Sequence, residues 1–458
     1  MLEKQESQFL RYGNHTITYK DLFVRTQNFE SLLAIKNVAL LINGEKHPDT
    51  VCAIAASFHH GIPYLVIPNE MSLEKIPGID EFTHFYSAST VDTDIPDHLK
   101  VISNQESTSQ STINTNRKPE ENDIFAWVLS SGTTGNPKKI PLKRRQIHAA
   151  MDASRINFSP QPGDFWLLDL PLSHMGGQNV IIRALMNGSG IHLKKGSLSE
   201  ELNKFPDINY FSLVPTQLHR LVNQNALDST RVKGILIGGG PFTDDLIINA
   251  RKIGLPVCGS YGMTETCGQI AVQQLTDPET PPASVGKILS GNKVRITDDS
   301  GKILPANSSG NIQLSGTQVP DALDFPDSFT DDMWFKTGDF GYLDENGYLF
   351  IEARRSDMIV SGGLNIRPAE IENLLNKLGW IKESVVLAQD NAEWGQIASA
   401  VIVLEDGEKR NNLELEMISR EYLNELLPSW KIPKFWSFTK HELPKNEMGK
   451  VLRNKILI

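Results

Sequence analysis

Hydroxyls, glycines and a lysine crowd into one run, Ser130-Ser131-Gly132-Thr133-Thr134-Gly135-Asn136-Pro137-Lys138. Glycines let backbone N–H groups approach an anion closely, hydroxyls add donors, and Lys138 adds a charge. Such a run suits a polyphosphate. It is not a Walker A loop, because Pro137 precedes Lys138 and the G-x-x-x-x-G-K-[ST] spacing fails. On composition alone, a plain polar turn explains it equally well. The apolar segment Ile124 to Leu129 before it reads as a buried strand that empties into the run.

Five further stretches carry side chains able to do chemistry: Pro171 to Gly177 with His174, Ser260 to Thr266 with Tyr261, Gly262, Thr264 and Glu265, Trp334 to Asp339, Arg354 to Ile359 with Ser356, and Pro444 to Lys450. Singly, each has a bland reading. Asp339 fits a Gly-Asp turn, Glu265 a helix start, His174 a satisfied turn, and Lys450 a solvated amine.

The elements that must position these stretches alternate. Strands at Thr16–Tyr19, Val38–Ile42 and Tyr64–Ile67 frame helical runs from Lys20 to Leu33 and from Val51 to Phe58, which predicts a parallel sheet covered by helices. The polar stretch 104–118 reads as a surface loop. From 145 to 260 the alternation resumes. Helices are expected at Arg145–Ile156, Val180–Leu185, Thr216–Val222 and Asp244–Lys252. Strands are expected at Trp166–Leu168, Tyr210–Val214, Lys233–Ile237 and Pro256–Cys258. In doubly wound sheets ligands bind beyond the carboxyl ends of strands. The candidate residues after Leu129, Leu170, Ile237 and Cys258 all fall just past strands, which points to one composite site. Regular glycines over 283–350 predict a small β-rich part, and 358–458 reads as a separate α+β domain.

A chain of 458 residues implies two or three domains. Its 45 basic and 55 acidic residues leave a formal net charge of -10, which disfavours broad nucleic-acid binding. No apolar run nears the ~20 residues of a membrane helix. The opening Met1-Leu2-Glu3-Lys4-Gln5-Glu6 lacks an apolar signal core, and Cys52, Cys258 and Cys267 form no disulfide or zinc pattern. A cytoplasmic protein with reduced thiols is expected.

The order and spacing of the six stretches resemble the adenylate-forming superfamily of acyl-CoA synthetases, adenylation domains and luciferases, from residue 130 to Lys450. The runs Ser212 to Leu218, Ile235 to Gly239 and Pro171 to Arg183, with Gln178 and Arg183 after the glycines, look like the o-succinylbenzoate–CoA ligases of quinone synthesis. The resemblance implies an α/β fold. A large N-terminal domain, 1–355, would hold two doubly wound sheets and the β-rich part, and a small mobile α+β domain, 356–458, would turn about Ser356. It implies ATP, Mg²⁺ and coenzyme A, a small carboxylic acid substrate, and two half-reactions through an acyl-adenylate.

On that resemblance, Ser130, Ser131, Gly132, Thr133, Thr134, Gly135 and Lys138 hold the β- and γ-phosphates. Gly238, Gly239, Gly240, Tyr261 and Gly262 frame the adenine. Thr264 meets the α-phosphate, and Glu265 holds Mg²⁺. Asp339 accepts from the ribose with Arg354 nearby, Lys450 catalyses the first half, His174 borders the acyl pocket, and Gly362-Gly363 faces the thiol route. Arg183 is the candidate partner of the substrate's second carboxylate, with Ser212 and Thr216 shaping the pocket; the competing reading of Arg183 is an exposed helix face. Three positions depart from the superfamily pattern: Lys139 and Ala353 replace glycines, and Ser173 replaces an aromatic. A general aryl- or acyl-CoA ligase, a carrier-loading adenylating enzyme and a non-catalytic binding relative stay open, as does homo-oligomerisation.

Overall fold

The structure, a computed structural model, describes residues 6–30, 38–69, 71–89, 95–102, 119–131, 137–224, 228–354, 357–446, 449 and 451–456. They gather into two compact units, Met1–Lys293 with Ser315–Phe329, and Val294–Leu314 with Thr330–Ile458.

The larger unit is built on two sheets. In the six-stranded sheet the order is Lys100–Ile102, His84–Tyr86, Leu40–Asn43, Tyr64–Ile67, Ile124–Ser131 and Pro137–Lys143, parallel up to an antiparallel last strand. The nine-stranded sheet has a parallel centre of Gln8–Tyr12, Gly190–Leu193, Phe165–Leu168, Ile208–Leu213, Gly234–Ile237 and Val257–Met263. Antiparallel strands close its edges: His15–Thr18 on one side, Gly268–Val272 and Lys287–Ile288 on the other. Leu40–Asn43, Tyr64–Ile67, Phe165–Leu168 and Gly190–Leu193 are buried at every position. Parallel strands covered on both faces need such unbroken apolar runs.

Two helices lie in the core shared by the sheets. Pro48–His60 brings Ile54 and Phe58 to Leu40 and Tyr64, and Met175–Asn187 brings Val180 and Ile181 to Trp166 and Leu168. Both helices end on a left-handed glycine, Gly61 at φ 75° and Gly188 at φ 74°, where a side chain would be strained.

The smaller unit carries a four-stranded sheet in the order Asn292–Thr297, Gly310–Gly316, Phe335–Leu343, Leu349–Arg354. It also carries a five-stranded sheet built on Ile381–Asn391 and Gly395–Leu404, with helices Pro368–Leu375 and Asn412–Leu426. By compactness the four-stranded sheet therefore falls with the C-terminal module.

Three expectations are corrected. The strand near residue 17 does not join the first sheet: Gln8–Tyr12 and His15–Thr18 form a hairpin turned by Gly13 at φ 57°, on the edge of the nine-stranded sheet. Its anchor is non-local, Arg11 donating to both carboxylate oxygens of Asp207 at 2.7 and 2.9 Å and to His192 at 2.9 Å. The strand before the phosphate-type loop does not stop at Leu129 but runs to Ser131, because Ser130 and Ser131 pair with Lys138 and Pro137 of a returning strand. The strand at Cys258 likewise continues through Met263, its backbone paired with Gly268–Val272. The polar stretch 104–118 lies outside the described residues.

One pair in the C-terminal module joins a buried carboxylate, Glu372, to the half-buried Arg453. Arg453 lies 2.8 Å from the Glu372 carboxylate and donates to Val386 O at 2.6 Å, while Glu372 accepts Val386 N–H at 2.6 Å. Burial pushes the Glu372 carboxyl above its ordinary range, opposed by Arg453 and that N–H. Arg453→Met should leave a buried carboxylate unpaired and cost about 3 kcal/mol near neutral pH. Without the guanidinium the folded-state pKa of Glu372 rises further. The deficit must then grow as pH climbs through the raised folded-state range of this carboxyl and level off at its smallest below that range. Thermal unfolding at about pH 5 and about pH 8 checks this; equal losses at both would show that the carboxylate is not stranded.

Candidate active site

The antiparallel return makes the phosphate-type run the tip of a hairpin. Ser130 and Ser131 end one strand, and Pro137 and Lys138 begin the other. Gly132, Thr133, Thr134 and Gly135 lie outside the described residues. Lys138 is exposed, with its amine 5.1 Å from the Phe325 ring centre. Lys139, where the superfamily has glycine, points elsewhere: its amine lies 2.7 Å from Glu81 and over the Phe82 and Trp127 rings.

Gly238, Gly239 and Gly240 follow the strand Gly234–Ile237, partly open, with Gly239 at φ 78°. Tyr261 is buried in the neighbouring strand. At Gly262 an added Cβ would sit 1.9 Å from Gly268 O, so only glycine allows this approach. Thr264 and Glu265 follow in a one-turn helix, Thr264–Thr266, both half-buried. Neither side chain has a hydrogen-bond or ion-pair partner among the described residues. A half-buried carboxylate left unpaired suits a hard cation. Those residues also contain no cluster of three or more metal-ligating groups. A single carboxylate of this kind fits an ion that takes most of its ligands from phosphate and water, as Mg²⁺ does.

The acyl side is built on Met175–Asn187, for which His174 is the N-cap residue. Arg183 on this helix is buried, not exposed, at 3 % of its surface. Its Nε and Nη1 have no hydrogen-bond partner among the described residues. The guanidinium lies 4.4 Å from the Trp166 ring centre. Burial pushes it down to about 10, still charged at neutral pH. The Trp166 indole N–H donates to Ser212 Oγ at 3.1 Å, so one indole links two of the three predicted acyl-site residues. Thr216, the third, is exposed on the helix Pro215–Gln224. Gln178 Oε1 and Asn179 Oδ1 on the same helix are also buried, with no hydrogen-bond partner among the described residues.

One residue carries no motif and was not anticipated. Asp169 directly follows the strand Phe165–Leu168 and is 8 % exposed. Its carboxylate accepts from Lys194 at 2.8 Å, Lys46 at 3.2 Å and Gln217 at 2.9 Å. The next strand in sequence, Gly190–Leu193, lies on one side of this one, and Ile208–Leu213 lies on the other. Asp169 thus stands at a topological switch point, where such sheets bind ligands; that position, one acid after a buried strand, is the signal that could have revealed it.

In the smaller unit, Asp339 and Arg354 are register partners across two strands, with 3.4 Å between carboxylate and guanidinium. Gly362 and Gly363, at φ 57° and 81°, turn the hairpin between Ile359–Ser361 and Leu364–Ile366. Ser356 and Lys450 lie outside the described residues, but Lys445 bridges to Val451 and pairs with Glu383 at 2.9 Å. The thiols are no nucleophiles: Cys52, Cys258 and Cys267 are buried, and burial pushes Cys52 and Cys258 up to about 12.

A half-buried carboxylate in a turn, unpaired among the described residues, and a glycine run at the neighbouring strand end suit a nucleotide-handling α/β enzyme. Family models agree: residues 3–320 match the AMP-binding enzyme family and 370–450 the AMP-binding enzyme C-terminal domain. The chain belongs to the AMP-binding enzyme family. It is 30% identical to the 2-succinylbenzoate–CoA ligase of Bacillus pumilus over 98% of this chain and 94% of that protein. Among solved structures it is similar to the o-succinylbenzoate CoA synthetase of Bacillus subtilis in complex with its acyl-adenylate intermediate. That match has a TM-score of 0.86 and 28% identity, covering 98% of this chain and 95% of that one. The same synthetase with ATP and magnesium ion matches at TM-score 0.84 and 27% identity, covering 98% and 96%. No helix among the described residues is long and apolar enough to cross a membrane.

Asp169→Asn keeps the shape but removes the charge that two lysines and Gln217 share. A loss of about 2 kcal/mol in unfolding free energy is expected, since hydrogen bonds to charged groups are worth about 1.5–3 kcal/mol. Denaturant titration measures it, and a variant as stable as its parent would remove Asp169 as an anchor of this strand end.

Proposed function

We propose that the protein is an ATP-dependent, AMP-forming ligase that activates o-succinylbenzoate as its acyl-adenylate and transfers the acyl group to coenzyme A, in the cytoplasm, for menaquinone synthesis. The observation that carries this reading is the buried guanidinium of Arg183, whose Nε and Nη1 have no hydrogen-bond partner among the described residues. It belongs to a chain whose relatives along nearly its full length are 2-succinylbenzoate–CoA ligases. o-Succinylbenzoate bears two carboxylates. One must stay free to react, and the other needs a partner once it leaves water. Arg183 supplies that partner, already desolvated and braced by Trp166.

In the first half, an oxygen of the aliphatic carboxylate bonds to the α-phosphorus of ATP and pyrophosphate leaves. Such transfers need positioning and charge neutralisation more than covalent help. The hairpin residues Ser130 to Lys138 hold the β- and γ-phosphates. Gly238, Gly239, Gly240, Tyr261 and Gly262 seat the adenine, and Asp339, braced by Arg354, takes the ribose hydroxyls. Thr264 donates to the α-phosphate. Glu265 holds Mg²⁺, which supplies neutralising charge to the phosphates when bound. Lys450 bridges the incoming carboxylate and the α-phosphate, where charge is shared in the transition state. His174, Ser212 and Thr216 border the acid. In the second half, the coenzyme A sulfur bonds to the acyl carbon and AMP leaves. We place the change between halves in a rotation of 356–458 about Ser356, with Gly362-Gly363 brought to the thiol route.

Arg183→Leu should raise the Michaelis constant for o-succinylbenzoate by about ten- to a hundredfold, while that for ATP stays within about twofold. Steady-state kinetics with each substrate varied decide it; an unchanged constant for the acid would sink the role given to Arg183. Lys450→Ala should slow pyrophosphate exchange by at least about a hundredfold, yet spare thioester formation from supplied acyl-adenylate. Exchange surviving in that variant would contradict the mechanism.

A further inference from the structure

The turn that carries Thr264 and Glu265 is held at its backbone carbonyls. Every carbonyl from Met263 to Gln269 accepts a hydrogen bond. Thr266 Oγ donates to Met263 O at 3.1 Å and to Gly268 O at 2.8 Å, and Cys267 N–H donates to Thr264 O at 3.0 Å. The other four carbonyls go to buried amide side chains. Gln146 takes Glu265 O at 2.8 Å, Asn179 takes Cys267 O at 2.9 Å, and Gln318 takes Thr266 O at 3.2 Å and Gln269 O at 2.9 Å. The turn needs holding, because Cys267 sits at φ 57°, in the left-handed region where a side chain is strained by roughly 1–2 kcal/mol.

Gln146 has a further connection. It is 1 % exposed, near the start of the helix Arg144–Ser154. Its Oε1 accepts the backbone N–H of Lys143 at 2.9 Å, and its Nε2 donates also to Gln318 O at 2.9 Å. Lys143 is the last residue of Pro137–Lys143, the returning strand of the phosphate-type hairpin. The amide is therefore fully used: one oxygen caps its own helix at Lys143, where the returning strand of the hairpin ends, one N–H is on the turn, and one N–H is on the segment around residue 318. Only this orientation of the amide satisfies all three. Ion pairs hold the same junction from outside, Arg145 to Asp321 at 2.5 Å and Lys143 to Asp321 and Asp324.

We infer that Gln146 is a positioning residue that sets the register between the two halves of the ATP grip, the hairpin and the Thr264–Glu265 turn. The inference rests on the assignment of Glu265 to Mg²⁺ and of the hairpin to the outer phosphates. An AMP molecule needs neither the outer-phosphate grip nor the metal. AMP keeps only the α-phosphate contact of Thr264 on this turn, so a change at Gln146 must weaken magnesium-bound ATP more than AMP. A residue serving only the fold would weaken both alike.

The test uses the full-length enzyme without the acid substrate. Titration calorimetry measures affinity for ATP with Mg²⁺, for ATP with a chelator, and for AMP. Gln146→Glu keeps the shape but sets a carboxylate oxygen against two carbonyls; Gln146→Asn falls one methylene short. In both, affinity for ATP with Mg²⁺ should drop by about tenfold, the size expected for losing one or two buried hydrogen bonds, while AMP, which meets this turn only at Thr264, weakens by no more than about threefold. Unchanged affinity for ATP with Mg²⁺, or equal weakening of ATP and AMP, overturns the inference. Loss of the fold in both variants overturns it too, because the residue would then serve the fold. Glu265→Gln runs in parallel. If it loses the Mg²⁺-dependent part of ATP affinity and the Gln146 variants do not, the register role falls and the metal assignment stands. If Glu265→Gln keeps that part, the metal assignment has failed and the inference with it.

Discussion

Parallel strands have to be covered on both faces, and the larger unit covers two sheets with one shared core of helices. Pro48–His60 and Met175–Asn187 lie in that core, packed on Leu40, Tyr64, Trp166 and Leu168. A strand that is apolar on both faces has nowhere to keep polar groups except beyond its ends. The hairpin tip, the glycines after Ile237, the turn after Met263 and Asp169 after Leu168 all follow from that constraint. Each stands where a buried strand first reaches a polar surrounding.

Arg183 is the exception that the core tolerates. It lies inside the shared layer, not at a strand end, and it keeps its charge. A buried ion without a partner costs several kcal/mol, and a ring beneath a guanidinium returns about 2 kcal/mol. The balance is unfavourable in the absence of an anion. The two nitrogens left without a partner among the described residues are the basis on which Arg183 is proposed above as the partner of an anionic group. Trp166 serves twice, its face under Arg183 and its N–H on Ser212, so one rigid ring fixes the placement of both side chains.

Much of this was legible in the sequence where the signal is local. The helix Asp244–Lys252 is bounded by a Thr243 cap, acids in its first turn and bases in its last, and it forms as read. The fully buried strands read as apolar runs for the reason given above. Ser130-Ser131 and Tyr261-Gly262-Met263 read as loop because hydroxyls and glycine dominate them. Their strand character comes from antiparallel partners, 137–143 and 268–272, which a local pattern does not contain. The first hairpin was placed with the wrong sheet for the same reason, since the contact that fixes it joins Arg11 to Asp207. Gln146, Gln318 and Asp169 were illegible for another. Each is a single polar residue whose decisive partners lie tens to hundreds of positions away.

The chemistry of those partners explains why the site is held the way it is. The carbonyls around Glu265 could equally be capped by a lysine or an arginine. A cation placed about 6 Å from the Glu265 carboxylate would attract it by roughly 3 kcal/mol at an effective dielectric of about 20. The carboxylate would then be spent on the protein instead of the metal. Gln146, Asn179 and Gln318 grip the same carbonyls with neutral amides. The ion pairs of Lys143 and Arg145 are directed to Asp321 and Asp324. Geometry is fixed by uncharged groups beside the turn and charge is neutralised locally at those aspartates. That separation leaves Glu265 and Thr264 rigid in backbone yet uncommitted in side chain, the condition under which a pre-organised site binds its ligand without first breaking a contact of its own.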